Sequence, residues 1–208
     1  SEVCRIDGIE RVRFMTSHPK DLSQELIDVV RDEPKVAKHI HLPLQSGSDR
    51  ILAQMNRKYT RESYLALAER IRREIPDAAI TTDIIVGFPG ETDADVDDTI
   101  DIIRRVQYDN AFTFIYSKRT GTPAAAMTNQ VPEADVKRNF DRLLKVVQET
   151  ARTRTTIWAG RDEYVLVESV NEQNPELMTA RMSNNTLVHF PGDASLIGQF
   201  VNVHLDEC

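Results

Sequence analysis

The chain has 208 residues, 40% of them hydrophobic and 28% charged, with a formal net charge of −7. That composition supplies one good core and a small appendage, and it excludes a disordered chain. The acidic balance excludes a surface coated for indiscriminate nucleic-acid binding, so any phosphate-binding patch must come from local clustering of Lys and Arg.

No run approaches the roughly eighteen apolar residues of a membrane span, and no charged-then-apolar leader is visible, so neither a membrane partner nor a secretory signal is expected. Cys4 and Cys208 are the two cysteines. They have no metal-type spacing and do not make a disulfide framework, and a reducing, cytoplasmic setting is the expectation.

Four strand-then-helix units follow in order. "RVRFMTS" (Arg11 to Ser17) reads as a strand, and "DLSQELIDVVRDE" as a helix with Leu22, Leu26, Val29 and Val30 at helical spacing. "HIHLPLQ" is a second strand, followed by the helix "SDRILAQMN" and a longer one from Thr60 to Ile75, which Pro76 ends. "AITTDIIVGF" leads into "TDADVDDTIDIIRRV", where Thr92-x-x-Asp95 fits a capping box. "NAFTFIYS" is the fourth strand, and its helix starts near Pro132 and runs to about Trp158. This alternation implies right-handed βαβ units on a parallel sheet. Beyond Trp158 the period changes: "EYVLVESV", "ELMTARM", "TLVHF" and "QFVNVHL" are short alternating strands separated by polar turns. They predict a small antiparallel β domain. The organisation is therefore 1–158 and 159–208, with the boundary near Ala159-Gly160.

The second strand carries an unusual row. His39, His41 and Gln45 share one side of a period-2 pattern, with Ile40, Leu42 and Leu44 on the other. In the third strand Thr81 and Asp83 oppose Ile80, Ile84 and Val86. A sheet covered by helices on both faces would have to satisfy those groups in a dry layer, at roughly 1–3 kcal/mol for each unmade hydrogen bond. A barrel with a site in its mouth lets one face be polar, so a barrel is the preferred fold class. The alternative is that the histidines and Asp83 are hydrogen-bonded core residues, and a His-His metal site is a further, weaker one. The strand ends carry Gln45-Ser46-Gly47-Ser48-Asp49 and Gly87-Phe88-Pro89-Gly90-Glu91, glycine-bearing turns without the phosphate-loop pattern.

"HLPLQSGSDRILAQMNRKYT" and "DIIVGFPGET", with "RFMTSHP" before them and "YSKRTGTPAA" after, together resemble the radical S-adenosylmethionine (SAM) methylthiotransferase family in its tRNA-modifying branch. The resemblance covers essentially the whole chain, and residues 159–208 are similar to the TRAM RNA-binding module. It implies a partial TIM-type (β/α) barrel and a transferase that adds a methylthio group to C2 of N6-isopentenyladenosine at tRNA position 37. The alternatives are action on threonylcarbamoyladenosine, a non-catalytic RNA-binding module, or an ordinary barrel enzyme acting on a phosphorylated metabolite. Implied cofactors are SAM and two 4Fe-4S clusters; implied partners are the tRNA anticodon stem-loop and an electron donor. The family's Cys-x3-Cys-x2-Cys motif and its auxiliary-cluster cysteines do not occur in these residues. They are expected upstream with the first barrel strands, so that the chain is a fragment, ends in an incomplete TRAM-like domain, and by itself holds no cluster and is inactive.

The resemblance and the strand-end positions together point to Gln45, Ser46, Arg57 and Asp83 as SAM contacts, with Val86, Gly87, Phe88 and Pro89 on the adenine side. Lys118 and Arg119, after the fourth strand, are candidates for RNA phosphates, as are Arg152 and Arg154 on the long helix, whose other charges read as an ordinary solvated face.

Overall fold

The computed structural model describes residues 2–15 and 18–207. Thr16 and Ser17, the end of the expected first strand, lie outside the described residues, as does Cys208. The elements are α1 (Gln24–Asp32), β1 (His39–His41), α2 (Asp49–Gln54), α3 (Arg61–Glu74), β2 (Ala79–Val86), α4 (Asp93–Val106), β3 (Asn110–Ile115), α5 (Pro123–Ala126), α6 (Glu133–Thr156), β4 (Asp162–Val170), β5 (Leu177–Arg181), β6 (Leu187–Pro191) and β7 (Phe200–His204).

Strands β1, β2 and β3 pair in parallel in that order, with helices in the connections between them. The helices start where side chains can occupy orphan backbone donors. Ser23 and Ser48 accept from Leu26 and Ile51, and Thr60 and Thr92 make reciprocal capping boxes with Ser63 and Asp95. The row of Ile40, Leu42, Leu44, Ile80 and Ile84 is completely buried against the helices, each side chain contributing about 1.5–3 kcal/mol. One polar chain crosses this core. Tyr108 donates to the Tyr64 hydroxyl at 2.9 Å, and Tyr64 donates to the Leu42 carbonyl at 2.7 Å.

Two expectations need correction. The first strand is absent among the described residues: Val12 makes a single parallel bridge to Val36, and Arg11 and Arg13 turn their guanidiniums to the second domain. The strand expected over His39–Gln45 stops at His41, because Pro43 offers no N–H to the ladder. Thr82 fills the gap, its hydroxyl accepting from Leu44 N at 2.9 Å, and pairing resumes where Gln45 N donates to the Asp83 carbonyl.

The second unit is a four-stranded antiparallel sheet in the order β6-β5-β4-β7, open at β6 and β7. Val165, Val167, Met178 and Ala180 form its buried face with Trp158 and Leu205, a core separate from the first. The register pairs Leu166 with both Arg181 and Phe200, and Arg181 with Leu187, so these residues share the other face. The two units are tied by Arg11, which donates to the carbonyls of Arg181 at 2.9 Å and Tyr164 at 3.2 Å. Arg13 adds bonds to the Met182 carbonyl at 3.0 Å and to the Asn185 amide oxygen.

Candidate functional site

The two glycine-bearing turns lie side by side at the C-terminal end of the parallel sheet. Gln45 bridges Ile84, and its carbonyl accepts from Ile85 N at 2.9 Å, one residue before β2 ends and the Gly87 turn begins. A buried carboxylate locks the turns together. Asp95 accepts from the Ser48 hydroxyl at 2.6 Å, from the Thr92 N–H at 2.8 Å and hydroxyl at 2.6 Å, and from Arg50. Burial alone would raise the Asp95 carboxyl; the bonds from Ser48, Thr92 and Arg50 outweigh it and hold the group below its ordinary value. Arg50 also reaches the Gly90 carbonyl at 2.8 Å, joining one turn to the other directly.

Each turn has a backbone requirement. Gly87 lies at φ +81, and a Cβ there would come within 2.8 Å of Val136. Gly47 packs against α4 so closely that a Cβ would sit 2.6 Å from the Asp98 carbonyl oxygen and the Thr99 nitrogen. Gln45 itself lies at φ +68, a left-handed conformation that non-glycine residues adopt rarely and that costs of order 1–3 kcal/mol. Its side-chain amide makes no hydrogen bond to another described residue. Glu91 closes the second turn by accepting from Gly87 N at 2.6 Å, and burial pushes its carboxyl up to about 7.

Phe88 and Pro89 are buried within this rim, and Phe88 meets Tyr116 edge to face with centroids 5.5 Å apart. Val86 points into the core with Ile84, so only its backbone serves the rim, accepting from Tyr116 N at 2.8 Å. Ser46 is fully buried and its hydroxyl accepts from Ser48 N, which spends it on the turn. Arg57 lies on the loop between α2 and α3, its Nε buried without a partner. Tyr116, which sequence reasoning passed over, has a buried hydroxyl that is likewise unpartnered. The signal for it was its place at the end of the fourth strand, in the quoted "YSKRTGTPAA".

Below the rim, the polar row faces a cavity of about 960 Å³ between the sheet and the second domain. His39 Nε2 and His41 Nδ1 both lie 2.9 Å from the Thr81 hydroxyl, and His41 Nε2 lies 3.3 Å from Asp83 Oδ2. In the tautomer in which Asp83 accepts from His41 Nε2–H, Nδ1 accepts a hydrogen bond from the Thr81 hydroxyl, which in turn accepts from His39. Burial, with Arg13 and His41 nearby, pushes His39 down to about 4. The histidines thus form a hydrogen-bonded wall. Among the described residues no group of three or more His, Cys, Asp and Glu side chains converges to hold a metal ion.

Of the expected phosphate contacts, Lys118 and Arg119 are exposed between β3 and α5, and Arg152 is exposed on α6. Arg154 is not free. Its Nε lies 3.2 Å from Asp109, which also binds Arg72 at 2.8 Å, and its side chain is only 14% exposed. Arg138 and Arg142 are engaged with Asp93 and Asp97 across the α4–α6 contact.

A parallel α/β arc with a polar inner face and a rim of two glycine turns, followed by an antiparallel β unit, defines the class. The model of the radical SAM superfamily matches residues 1–103, and that of the TRAM domain matches residues 159–208. The fold agrees: coproporphyrinogen III oxidase (HemN) from Escherichia coli, described as a radical SAM enzyme, superposes with a TM-score of 0.57 at 12% identity, over 86% of this chain and 50% of that one. The chain thus carries a radical SAM region followed by a TRAM domain. It is 54% identical to the tRNA-2-methylthio-N(6)-dimethylallyladenosine synthase of Lachnoclostridium phytofermentans over 98% of this chain and 45% of that protein. The synthase of the same name from Acetivibrio thermocellus is also 54% identical, over 99% and 43%. The chain thus spans under half the length of these relatives.

Proposed function

We propose that the chain is the barrel and RNA-binding portion of a tRNA methylthiotransferase that installs a methylthio group at C2 of N6-dimethylallyladenosine in the anticodon stem-loop. The observation that carries this reading is identity of about half over nearly every residue to relatives bearing that name. Threonylcarbamoyladenosine as the target, and a purely RNA-binding role, have no observation in their favour.

The rim fits S-adenosylmethionine. An adenine ring needs an apolar surface with backbone polar groups beside it, and Phe88, Pro89 and the Gly87 turn are the candidates to supply it. A ribose or amino-acid moiety needs donors and acceptors not already used, which the Gln45 amide, the Tyr116 hydroxyl and the second oxygen of Asp83 supply. Arg57 is the candidate partner for the methionyl carboxylate. When bound, S-adenosylmethionine supplies hydrogen abstraction and the transferred methyl group. The described residues offer no ligand set for an iron–sulfur cluster.

The chain's own contribution is placement. Asp95 fixes the two turns relative to each other, Glu91 shapes the second, and the Tyr59 hydroxyl, donating to the Pro43 and Leu44 carbonyls, anchors the first. Lys118, Arg119 and Arg152 are available to RNA phosphates beyond the barrel. Nucleoside mass spectrometry of tRNA from cells lacking the full gene tests the reading. The 2-methylthio form should vanish while N6-dimethylallyladenosine accumulates; persistence of the 2-methylthio form refutes it.

A further inference from the structure

We propose that the groove between the segment leading into α1 and helix α3 binds a small phosphorylated ligand, with a diphosphate group held by Lys20, Lys58, Arg70 and Arg73. The inference goes beyond the methylthiotransferase reading and does not depend on it, because none of these cations belongs to the rim.

Shape and charge carry it together. The groove encloses about 620 Å³, inside the range of about 300–1,000 Å³ usual for small-ligand sites. Buried Leu22 and Leu67 form its apolar floor. Four cations line it and no Asp or Glu does, in a chain of net charge −7. Helix α3 makes this separation by its period. Ser63, Leu67 and Arg70 fall on the groove face, while Glu62 and Glu69 fall on another face beside Arg61 and Arg105. Glu74 lies 3.6 Å from Arg73, but it is shared with Arg31 at 3.6 Å and accepts from Gln24 at 2.7 Å. Arg70 adds the second observation. Its Nε is buried and has no hydrogen-bond partner among the described residues. A buried N–H without an acceptor is costly to keep, and an anion in the groove supplies one.

The charge selects the ligand class. A lone carboxylate would leave most of these cations unbalanced, whereas a diphosphate presents several oxygens to guanidinium and ammonium donors at once. A compact anion also fits a concave groove better than a continuous nucleic-acid strand does. The cations proposed for RNA, Lys118, Arg119 and Arg152, belong to the β3–α6 side of the sheet, and the groove belongs to the α1–α3 side. The site also has a link to the rim. Tyr59 lines the groove, and its hydroxyl donates to the carbonyls of Pro43 at 3.2 Å and Leu44 at 2.9 Å, directly before Gln45. An occupant therefore touches the side chain that anchors the first rim turn.

Isothermal titration calorimetry with inorganic pyrophosphate at constant ionic strength tests this on the chain and three variants, each checked for folding by circular dichroism. One-to-one binding is expected, with acetate far weaker. Arg70→Gln should weaken pyrophosphate binding about tenfold to a hundredfold, the worth of one charge-assisted hydrogen bond. Lys58→Gln, at an exposed position that folding does not need, should weaken it severalfold. Arg119→Gln, on the loop after β3, should bind like the parent. The proposal is overturned if pyrophosphate does not bind, if folded Arg70→Gln and Lys58→Gln both bind it like the parent, or if acetate binds as tightly. It is also overturned if a single-stranded RNA oligomer binds through Arg70 and pyrophosphate fails to compete with it, because the groove then serves a polymer.

Discussion

Replacing Asp95 by alanine should uncouple the two rim turns, and the cost follows from what its carboxylate now satisfies. Asp95 is 5% exposed and Ser48 3% exposed, so the Ser48 hydroxyl, which donates at 2.6 Å, would be left in a site that water does not reach. An unmade bond of that kind costs about 1–3 kcal/mol. The Thr92 N–H loses its partner at the start of α4, and loss of such a cap costs about 1 kcal/mol. Arg50 is half exposed and finds water, so its share is small. The sum is about 2–4 kcal/mol, against a total stability of about 5–15 kcal/mol for a domain of this kind. Urea unfolding followed by helix circular dichroism at 222 nm should show the midpoint fall by about 1–3 M. Trp158 sits in the second core, so its fluorescence reports the TRAM sheet separately. A loss below about 1 kcal/mol in the helical transition would refute the claim that this carboxylate holds the rim.

Glu91 gives a pH-dependent prediction. Its folded-state value of about 7 stands above the ordinary 4.5, so the native state holds the proton more tightly and stability falls as pH rises from about 4.5 to about 7. Glu91→Gln, which keeps an acceptor for Gly87 N, should remove that loss and gain up to about 3 kcal/mol over the parent at pH 8; parallel pH profiles for the two proteins would contradict it. Gly47→Ala drives a Cβ into the backbone of α4 and should cost about 2–4 kcal/mol in the same urea assay, whereas a neutral result would mean that the turn and helix are free to part. Tyr64→Phe strands the Leu42 carbonyl and the Tyr108 hydroxyl in the first core, so thermal unfolding should show a loss of about 1–3 kcal/mol, and an unchanged melting temperature would remove the Tyr108–Tyr64–Leu42 chain from the stabilising set.

Local chemistry made much of the fold legible. The helices α3 and α4 lie where their apolar stripes and Thr caps put them, and α6 begins beside Pro132 because that residue closes no helical bond of its own. Alternation in His39–Gln45 and Ile80–Val86 separated the core face from the polar face, since register fixes which side each residue takes. What the chain hid is what depends on distant partners. Arg11 and Arg13 alternate like strand residues, yet carbonyls some 150 to 170 positions away hold them. Arg154 looks like one of several helix cations, and only the fold brings Asp109 to it. Asp95 was readable as a cap but not as the link between two turns, because Ser48 and Arg50 reach it from another helix. Pro43 stands inside the stretch read as one strand, and the outcome is a pause in pairing that the Thr82 side chain fills.

The most direct test of the rim as a cofactor site is calorimetric binding of S-adenosylmethionine to the chain. Gln45→Gly keeps the backbone at ease at φ +68 while removing the amide, and Tyr116→Phe removes the unpartnered hydroxyl alone. The account predicts that each weakens binding, by about fivefold to tenfold, while Arg119→Gln on the exposed loop leaves it unchanged. Equal affinity across all four proteins would contradict it.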